Sequence, residues 1–524
     1  MSRELIFVRP ASGLTRAIGP TGAIFMALTP SLGPFWWTYT AQLPVIYPGL
    51  NLPLTFALGG IFVFIIGFGD GLLMSAIPRS GGDYVIFSRC LGPFFGSLEA
   101  WRSIIQNPIA AAIGSYFAGA SIGSTIMVAG ALTKAESLIS MGTSIVTNPW
   151  VVITLGIILM AVGAVVDYLG PGLLSKWMTF WGIIGLIGIV FSIALFATHP
   201  PGTIQESWDN IWGRGAYDEV VEIATKNGWT PTPFSWDVQA SALLIPTAML
   251  WPYNALPVAG EVSRPKATLM LSSTGSAVIL SLLSIVTSAA FVYSYGDFAT
   301  MYNYIIMNGF ADQFKINPVI AAYFPVSLAF FAGCLTTIHP LSIFINTVPI
   351  LVNWGNISSG FYWTTRPLFA LSFDRYAPEV FTKLSRFHSP TYSIIFTFLF
   401  SIPFIILSAF NYVVATINLF IMFAFCDWFE SMSQIVLPFL RRHIWERGLT
   451  WTIGGFPVIT INGIIYSAIA SYLIMTGALG MDISSILSVI MIYTIGGAFY
   501  AIYSFRNQKK GIDVSKIFAD LPPE

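Results

Sequence analysis

Five ionisable side chains stand inside long apolar stretches of this 524-residue chain: Asp70, Glu99, Arg102, Asp427 and Glu430. An ionised group at the centre of a bilayer costs about 2.5–3.5 kcal/mol on insertion scales, so each is a candidate for function wherever its stretch spans a membrane. Glu99 and Arg102 are three residues apart, neighbours on a helix surface, and that spacing predicts a structural ion pair. Asp427 and Glu430 repeat the spacing with like charges, and two carboxyls so placed can share one proton; a solvated or capped polar face is the alternative. Asp70 lies in Gly67-Phe68-Gly69-Asp70-Gly71, a close-packing pattern that no strand precedes, so it is not a dinucleotide loop. Asp70, Asp427 and Glu430 are the candidates for holding a mobile proton.

Other chemistries find few residues to carry them. His199, His388 and His443 are scattered at predicted helix ends, and His339, beside Pro340, reads as a satisfied interior histidine, with a proton relay as the alternative. Without an HExxH or a His/Asp cluster no metal site is argued. Cys90, Cys334 and Cys426 lack CxxC spacing and read as small buried apolar residues. No GxxxxGK[ST] loop is present, so ATP does not act on this chain directly, and no cofactor is implied. Lys and Arg number 24 against 24 Asp and Glu, which leaves no basic field for a nucleic-acid partner.

The elements that must position these residues follow from composition. Hydrophobic residues make up 55% of the chain and charged ones 9%, against about 25% charged in soluble proteins; the partner of such a surface is a lipid bilayer. A helix needs about 20 apolar residues to cross it. That ruler predicts an all-α polytopic protein of roughly twelve spans: 17–41, 55–77, 93–128, 149–167, 173–198, 237–262, 270–295, one or more elements in 318–365, 392–409, 412–440, 454–476 and 482–504. Within 318–365 an outer helix is expected to pack before the true span. Alternating the loops from a cytoplasmic N-terminus leaves only Lys134, Arg214, Lys226 and Lys315 outside. The other basic residues, from Arg3 and Arg9 through Arg16 to Lys510 and Lys516, fall inside or at inner helix ends. This positive-inside bias predicts a multi-pass protein of the plasma membrane with both termini cytoplasmic. The first span has no cleavage site before it and is expected to be retained. The outer loop 199–236, with Trp208, Trp212, Trp229 and Trp236, reads as an aromatic interfacial lid. Asn356-Ile357-Ser358 falls on the inner side, a chance glycosylation match. The organisation expected is a cytoplasmic N-terminus at 1–16, a core of helices one to ten at 17–440, two further helices at 441–506, and a polar, mobile cytoplasmic tail at 507–524.

Two spans cannot be continuous helices. Thr29-Pro30-Ser31-Leu32-Gly33-Pro34 puts two prolines and a glycine in the middle of the first, and Leu250-Trp251-Pro252-Tyr253-Asn254-Ala255-Leu256-Pro257 does the same in the sixth. Unpaired backbone at that depth must be buried in protein or line a watery cavity. Interrupted helices in corresponding positions of two halves point to a transporter's central site, here with spans one to five and six to ten as a 5+5 inverted repeat; simple kinks that shape the bundle are the alternative. A half-helix N-terminus offers N–H groups to a carboxylate, and freed carbonyls can accept from an ammonium.

Four motifs resemble the amino acid-polyamine-organocation (APC) superfamily of permeases over about residues 14–440. Pro78-Arg79-Ser80-Gly81-Gly82-Asp83-Tyr84, with Arg89 and Leu91-Gly92-Pro93 after it, is similar to that family's Pro-x-x-Gly-Gly-x-Tyr signature. Glu261-Val262-Ser263-Arg264-Pro265 matches its Glu-Val-x-x-Pro. Arg366, Asp374 and Pro378 reproduce its Arg-x7-Asp-x3-Pro element, and Ser31-Leu32-Gly33-Pro34-Phe35 falls where it has a Gly-Ser-Gly-Ile-Phe substrate loop. The resemblance implies an alternating-access transporter of amino acids, by proton symport or exchange, with polyamines or other organic cations as the second reading and a non-transporting membrane sensor as a distant third. It implies no enzyme activity. Substrate contacts carry over to Ser31, Leu32 and Gly33, mostly through the backbone, and the break in the sixth span adds Trp251, Pro252, Tyr253 and Asn254 as substrate contacts. Gly81, Gly82, Tyr84, Arg89, Glu261, Arg366 and Asp374 carry over as a cytoplasmic motif. Three departures stand out: Leu250 and Trp251 replace a glycine pair, Gly185 stands where some proton-coupled relatives have lysine, and Leu72 stands where they have an acid, a role Asp70 could take. The expected partners are an amino-acid substrate and a co-transported proton, with monomer and homodimer both open.

Overall fold

A long apolar segment can satisfy its backbone without water only by coiling on itself, and each such stretch here is helical. The computed structural model describes residues 12–410, 415–479, 483–512 and 517–522; Arg3, Arg9, Lys516 and the junctions 411–414 and 480–482 lie outside them. Among the described residues nine helices are long and apolar enough to cross a membrane. They are the second span (Leu52–Ala76), the third (Pro93–Thr133), the fourth (Pro149–Tyr168), the fifth (Pro171–Thr198) and the seventh (Pro265–Tyr295), followed by the ninth (Thr391–Ala409), the tenth (Ala415–Leu440), the eleventh (Val458–Leu479) and the twelfth (Ile483–Lys509). The eighth, His339–Phe373, joins them on length, its hydropathy lowered by Asn346, Asn353, Asn356 and Arg366. Prolines 93, 149, 171 and 265 open their helices, where a missing N–H costs nothing. The chain is an all-α polytopic membrane protein, with one two-residue hairpin, Thr452–Ile453 against Phe456–Pro457, before the eleventh span.

Small residues set which helices touch. A Cβ on Gly67 would lie 2.9 Å from Ala277 Cβ and one on Gly60 2.8 Å from Ser281 Cβ, so the second span lies against the seventh at near-backbone distance. Gly360 lets the eighth approach the third at Asn107 and Ala111 in the same way. Among the described residues these two pairings are the most extensive helix contacts.

Several expectations are revised. The segment before the eighth span holds a short turn at Pro318–Ala322 and a helix at Leu328–Gly333, and the span itself runs on to Phe373. His339 is not interior: it is exposed at the first turn of that helix, because the buried run ends at Thr336. Asn356, in the chance glycosylation match, is mid-helix and buried. Trp208 and Trp212 do not float at an interface. Both are fully enclosed, with the Trp208 ring 5.0 Å from Phe298, 5.5 Å from Tyr302 and 5.7 Å from Phe330, while Trp236 stays exposed. Part of the tail is docked. Ile517 and Phe518 are buried, Phe518 stands 5.0 Å under the Arg89 guanidinium, and Arg79 Nε donates to the Pro522 carbonyl at 2.7 Å. Leu14 and Pro522 thus meet beside Asp374, on what is called below the tail face of the bundle.

Candidate functional site

Proline and glycine break the first span as the sequence predicts, and a tight turn of helix bridges the gap. Pro20–Leu28 is α-helical, Thr29–Leu32 tightens to a 3-10 turn, Gly33 is extended, and Pro34–Ile46 resumes the helix. The sixth span opens wider: Trp236–Ser241 and Leu244–Met249 end at Leu250, and residues 250–255 are non-helical before a 3-10 turn at Leu256–Glu261. The two breaks touch directly, since Ser31 Oγ donates to the Trp251 carbonyl at 3.1 Å.

Most of the carbonyls freed by the breaks are met by the chain's own donors. Trp251 O also accepts from Asn254 Nδ2 at 2.6 Å, Leu32 O from Trp37 Nε1 at 3.0 Å and Met26 O from Tyr362 Oη at 3.3 Å. The backbone carbonyls are therefore less available to an ammonium than the break alone suggested. What faces open space is side chain. A small cavity lies between spans three, six, eight and ten, walled by Asn107, Ala110, Asn356, Ser359, Gly360 and Phe423 together with Trp251, Tyr253, Asn254 and Trp363. None of these side chains is charged. Trp363 Nε1 donates to Asn254 Oδ1 at 3.1 Å and fixes that amide, whereas the buried Trp251 Nε1 has no hydrogen-bond partner among the described residues.

Of the seven residues read as substrate contacts, Trp251, Tyr253 and Asn254 line this cavity. Ser31 is spent on Trp251 O, and Leu32 packs toward Gly185 of the fifth span. Pro252 packs on Gly67, and a Cβ on Gly33 would sit 2.9 Å from Pro30 O and 3.4 Å from Asn356 Cβ. Asn107, Asn356, Ser359, Trp363 and Phe423 were missed. The signal that could have found them is amides recurring on otherwise apolar helices, a costly choice unless something polar is met there.

The acids read as proton holders converge behind Tyr253. Tyr466 Oη lies 2.9 Å from both Asp427 Oδ1 and Glu430 Oε2, and Tyr253 Oη lies 3.5 Å from Asp427 Oδ1. Gln434 Nε2 donates to Asp70 Oδ1 at 3.3 Å, its amide oriented by Asn462 Nδ2 at 2.9 Å. All three acids are buried, and among the described residues none has a basic side chain within ion-pair distance. Arg102 bonds Glu99, as the spacing predicted, and also Asp83 at 3.0 Å and Gln106 at 2.5 Å. Cys426 proves polar in its contacts: its thiol lies 3.2 Å from Asp83 Oδ2 and 3.1 Å from Arg102 Nη2. Asp83, Cys426 and Glu430 converge closely enough for a metal, but the Arg102 guanidinium already supplies the positive charge at two of the three.

The motif residues gather at the tail face. Gly81 and Gly82 have φ of +127° and +58°, conformations that glycine tolerates, and a Cβ on Gly81 would lie 2.6 Å from Ala370 Cβ. This turn aims the helix Asp83–Cys90 so that Arg89 Nη1 reaches Asp374 Oδ2 at 2.7 Å and Tyr84 Oη reaches the same oxygen at 2.8 Å. Arg366 donates through Nε and Nη2 to the two oxygens of Glu261, each at 3.2 Å, and through Nη1 to Asp167 at 2.6 Å. Asp167 was not among the sequence candidates. The strand-like stretch before the first span is tied in as well, with Ile18 N donating to Glu261 O at 2.9 Å and Ser263 N to Ile18 O at 2.8 Å.

A family model described as "Amino acid permease" matches residues 18–503. No curated protein matches the chain.

Proposed function

The chain belongs to the amino acid permease family, and from that premise we propose that it carries neutral amino acids across the plasma membrane by alternating access, coupled to the inward movement of protons. Membership supports a transporter of amino acids or related organic cations. The substrate reading rests on one observation, the uncharged cavity beside the break in the sixth span. A zwitterion is neutral overall and needs donors for its carboxylate and acceptors for its ammonium. The Trp251 indole N–H and the Tyr253 hydroxyl are donors, the amide oxygens of Asn107 and Asn356 are acceptors, and Trp363, Phe423 and Ala110 offer an apolar wall to the side chain. A polyamine would bring two or more positive charges to walls without a carboxylate, since Asp427 stands behind Tyr253.

Proton coupling is supported by Asp427, Glu430 and Asp70, which are buried with hydroxyl and amide partners in place of cations. The 5+5 inverted repeat is supported by the paired breaks and by the contacts of span two with seven and three with eight, its symmetry-related partners. The basic residues around the tail face support its assignment to the cytoplasm.

Uptake into proteoliposomes tests the whole. Labelled alanine, leucine, phenylalanine and glutamine are offered under an inward proton gradient in one arm and against unlabelled amino acids preloaded in another. Accumulation that needs the gradient and collapses with a protonophore is expected. Uptake driven by the preload alone would make the protein an exchanger, and uptake of putrescine over every amino acid would replace the substrate class.

A further inference from the structure

Tyr253 belongs to two sites at once. Its ring lines the cavity, and its hydroxyl lies 3.5 Å from Asp427 Oδ1, the oxygen that also accepts from Tyr466. We propose that Tyr253 couples cavity occupancy to proton binding by the Asp427–Glu430 pair, so that a substrate carboxylate which takes the Tyr253 hydroxyl causes a proton to be taken up behind it. The inference rests on the proton-symport reading above and adds its mechanism.

The protons can be counted from geometry. Tyr466 has one hydroxyl hydrogen, and its oxygen lies 2.9 Å from a carboxylate oxygen of each acid. It can donate to one of them; the other contact is a hydrogen bond only if that acid carries a proton of its own. Every element packed around the pair contributes titratable or charged groups: Asp70 from span two, Asp83 from the connecting helix, Glu99 and Arg102 from span three, Tyr253 from span six, Tyr466 from span eleven and Tyr493 from span twelve, with Cys426 on span ten itself. Arg102 is the one cation in this set, and it is engaged by Glu99, Asp83 and Gln106. Glu430 Oε1 and Asp70 Oδ2 are buried without a hydrogen-bond partner among the described residues. Such a cluster is sensitive to the gain or loss of a single donor.

The sign follows. A hydroxyl donating to Asp427 favours the carboxylate form. When the substrate carboxylate accepts that O–H instead, Asp427 loses a donor, and a proton from water joins Oδ1; when the substrate leaves, the hydroxyl returns and the proton departs to water. The bond formed is Asp427 Oδ1–H and the bond broken is an O–H of the hydronium ion that delivers the proton; the Tyr253 O–H stays intact and only changes acceptor. Linkage makes the effect reciprocal, so acidification tightens substrate binding by the same factor that substrate tightens proton binding. With one proton taken up, the affinity changes by up to about tenfold per pH unit over the range in which the pair titrates.

The test is titration calorimetry on the purified full chain, with whichever of alanine, leucine, phenylalanine and glutamine gives the strongest liposome uptake, in two buffers of different ionisation enthalpy. The difference in heat reads the protons taken up per substrate bound. Wild type is expected to take up about one, and Tyr253→Phe and Tyr466→Phe a small fraction of that. If wild type takes up none, the symport reading fails and this inference with it. If wild type takes up a proton and Tyr253→Phe takes up as many, the coupling role of Tyr253 is overturned while symport stands. Should Tyr253→Phe not bind, Tyr466→Phe decides, because Tyr466 does not line the cavity: retained binding with lost proton uptake supports the coupling, and unchanged proton uptake refutes it.

Discussion

The tail face and the cluster of Asp70, Asp427 and Glu430 both bury charge, and they do so by opposite rules. At the tail face each acid meets a cation: Asp374 has Arg89, and Asp167 and Glu261 share Arg366, with every side chain at or below 2% exposure. Asp70, Asp427 and Glu430 have no cation within ion-pair distance among the described residues, and their hydrogen bonds come from tyrosine hydroxyls and the Gln434 amide. A paired charge in a dry site holds one geometry, because removing either partner strands the other. Unpaired carboxyls hold a geometry only together with protons, which come and go. The first arrangement suits a joint between helices and the second a site that changes state.

Breaking the joint gives the largest expected effect. Arg366→Ala leaves Asp167 and Glu261 buried without a cation and should destabilise the fold by about 3–5 kcal/mol, read as a large fall in thermal unfolding temperature in detergent. The triple change Arg366→Met, Asp167→Asn, Glu261→Gln should recover most of it, and if it does not, ion pairing is not what this face contributes. Next comes Gly33→Leu, which should abolish transport in a protein that still folds and inserts: its side chain would meet Pro30 O and push toward Asn356 in the cavity wall. Wild-type uptake by this variant would detach the first break from the site.

Asp427→Asn probes the acid cluster and should behave unlike Arg366→Ala. Stability should change by no more than about 1 kcal/mol, since no cation is stranded, while gradient-driven uptake falls further than exchange. Equal losses in the two assays would remove its role as a proton carrier. The smallest effect belongs to the docked tail. Asp520 lies below the usual carboxylate range: partial burial acts to raise it and is outweighed by the backbone N–H of Leu521 and by the Arg447 guanidinium at 3.0 Å. A depressed folded-state value means that its contribution is present above the ordinary carboxylate range and is lost as pH falls through the folded value. Both side chains are largely exposed, so about 0.2–1 kcal/mol is expected at low salt and less at high, measurable as faster proteolysis of the tail at low pH and matched at neutral pH by Asp520→Asn.

Much of the fold was legible because a bilayer leaves the chain so little choice. Spans follow from runs of apolar residues, and the breaks at Pro30–Pro34 and Leu250–Pro257 from prolines that no helix absorbs. The Glu99–Arg102 pair and the Asp427–Glu430 face follow from helical spacing within one element. What escaped notice depends on which element lies beside which. Asp167 gave no sign that Arg366, some two hundred residues away, would claim it. Asn107 and Asn356 reach one cavity because glycines such as Gly114 and Gly360 let their helices close up. Phe518 sits in a tail whose composition reads as mobile, yet it is buried on Arg89.

By itself, then, the sequence determined that this is a polytopic helical membrane protein with two interrupted spans and a handful of intramembrane acids, because hydrophobic length, proline and charge act locally and carry their cost wherever the chain folds. Only the tertiary structure decided which acids acquire a cation and which are left to hydroxyls, because that depends on the neighbour an intramembrane carboxyl meets at about 3 Å across a helix interface, and no spacing along one chain states who that neighbour will be.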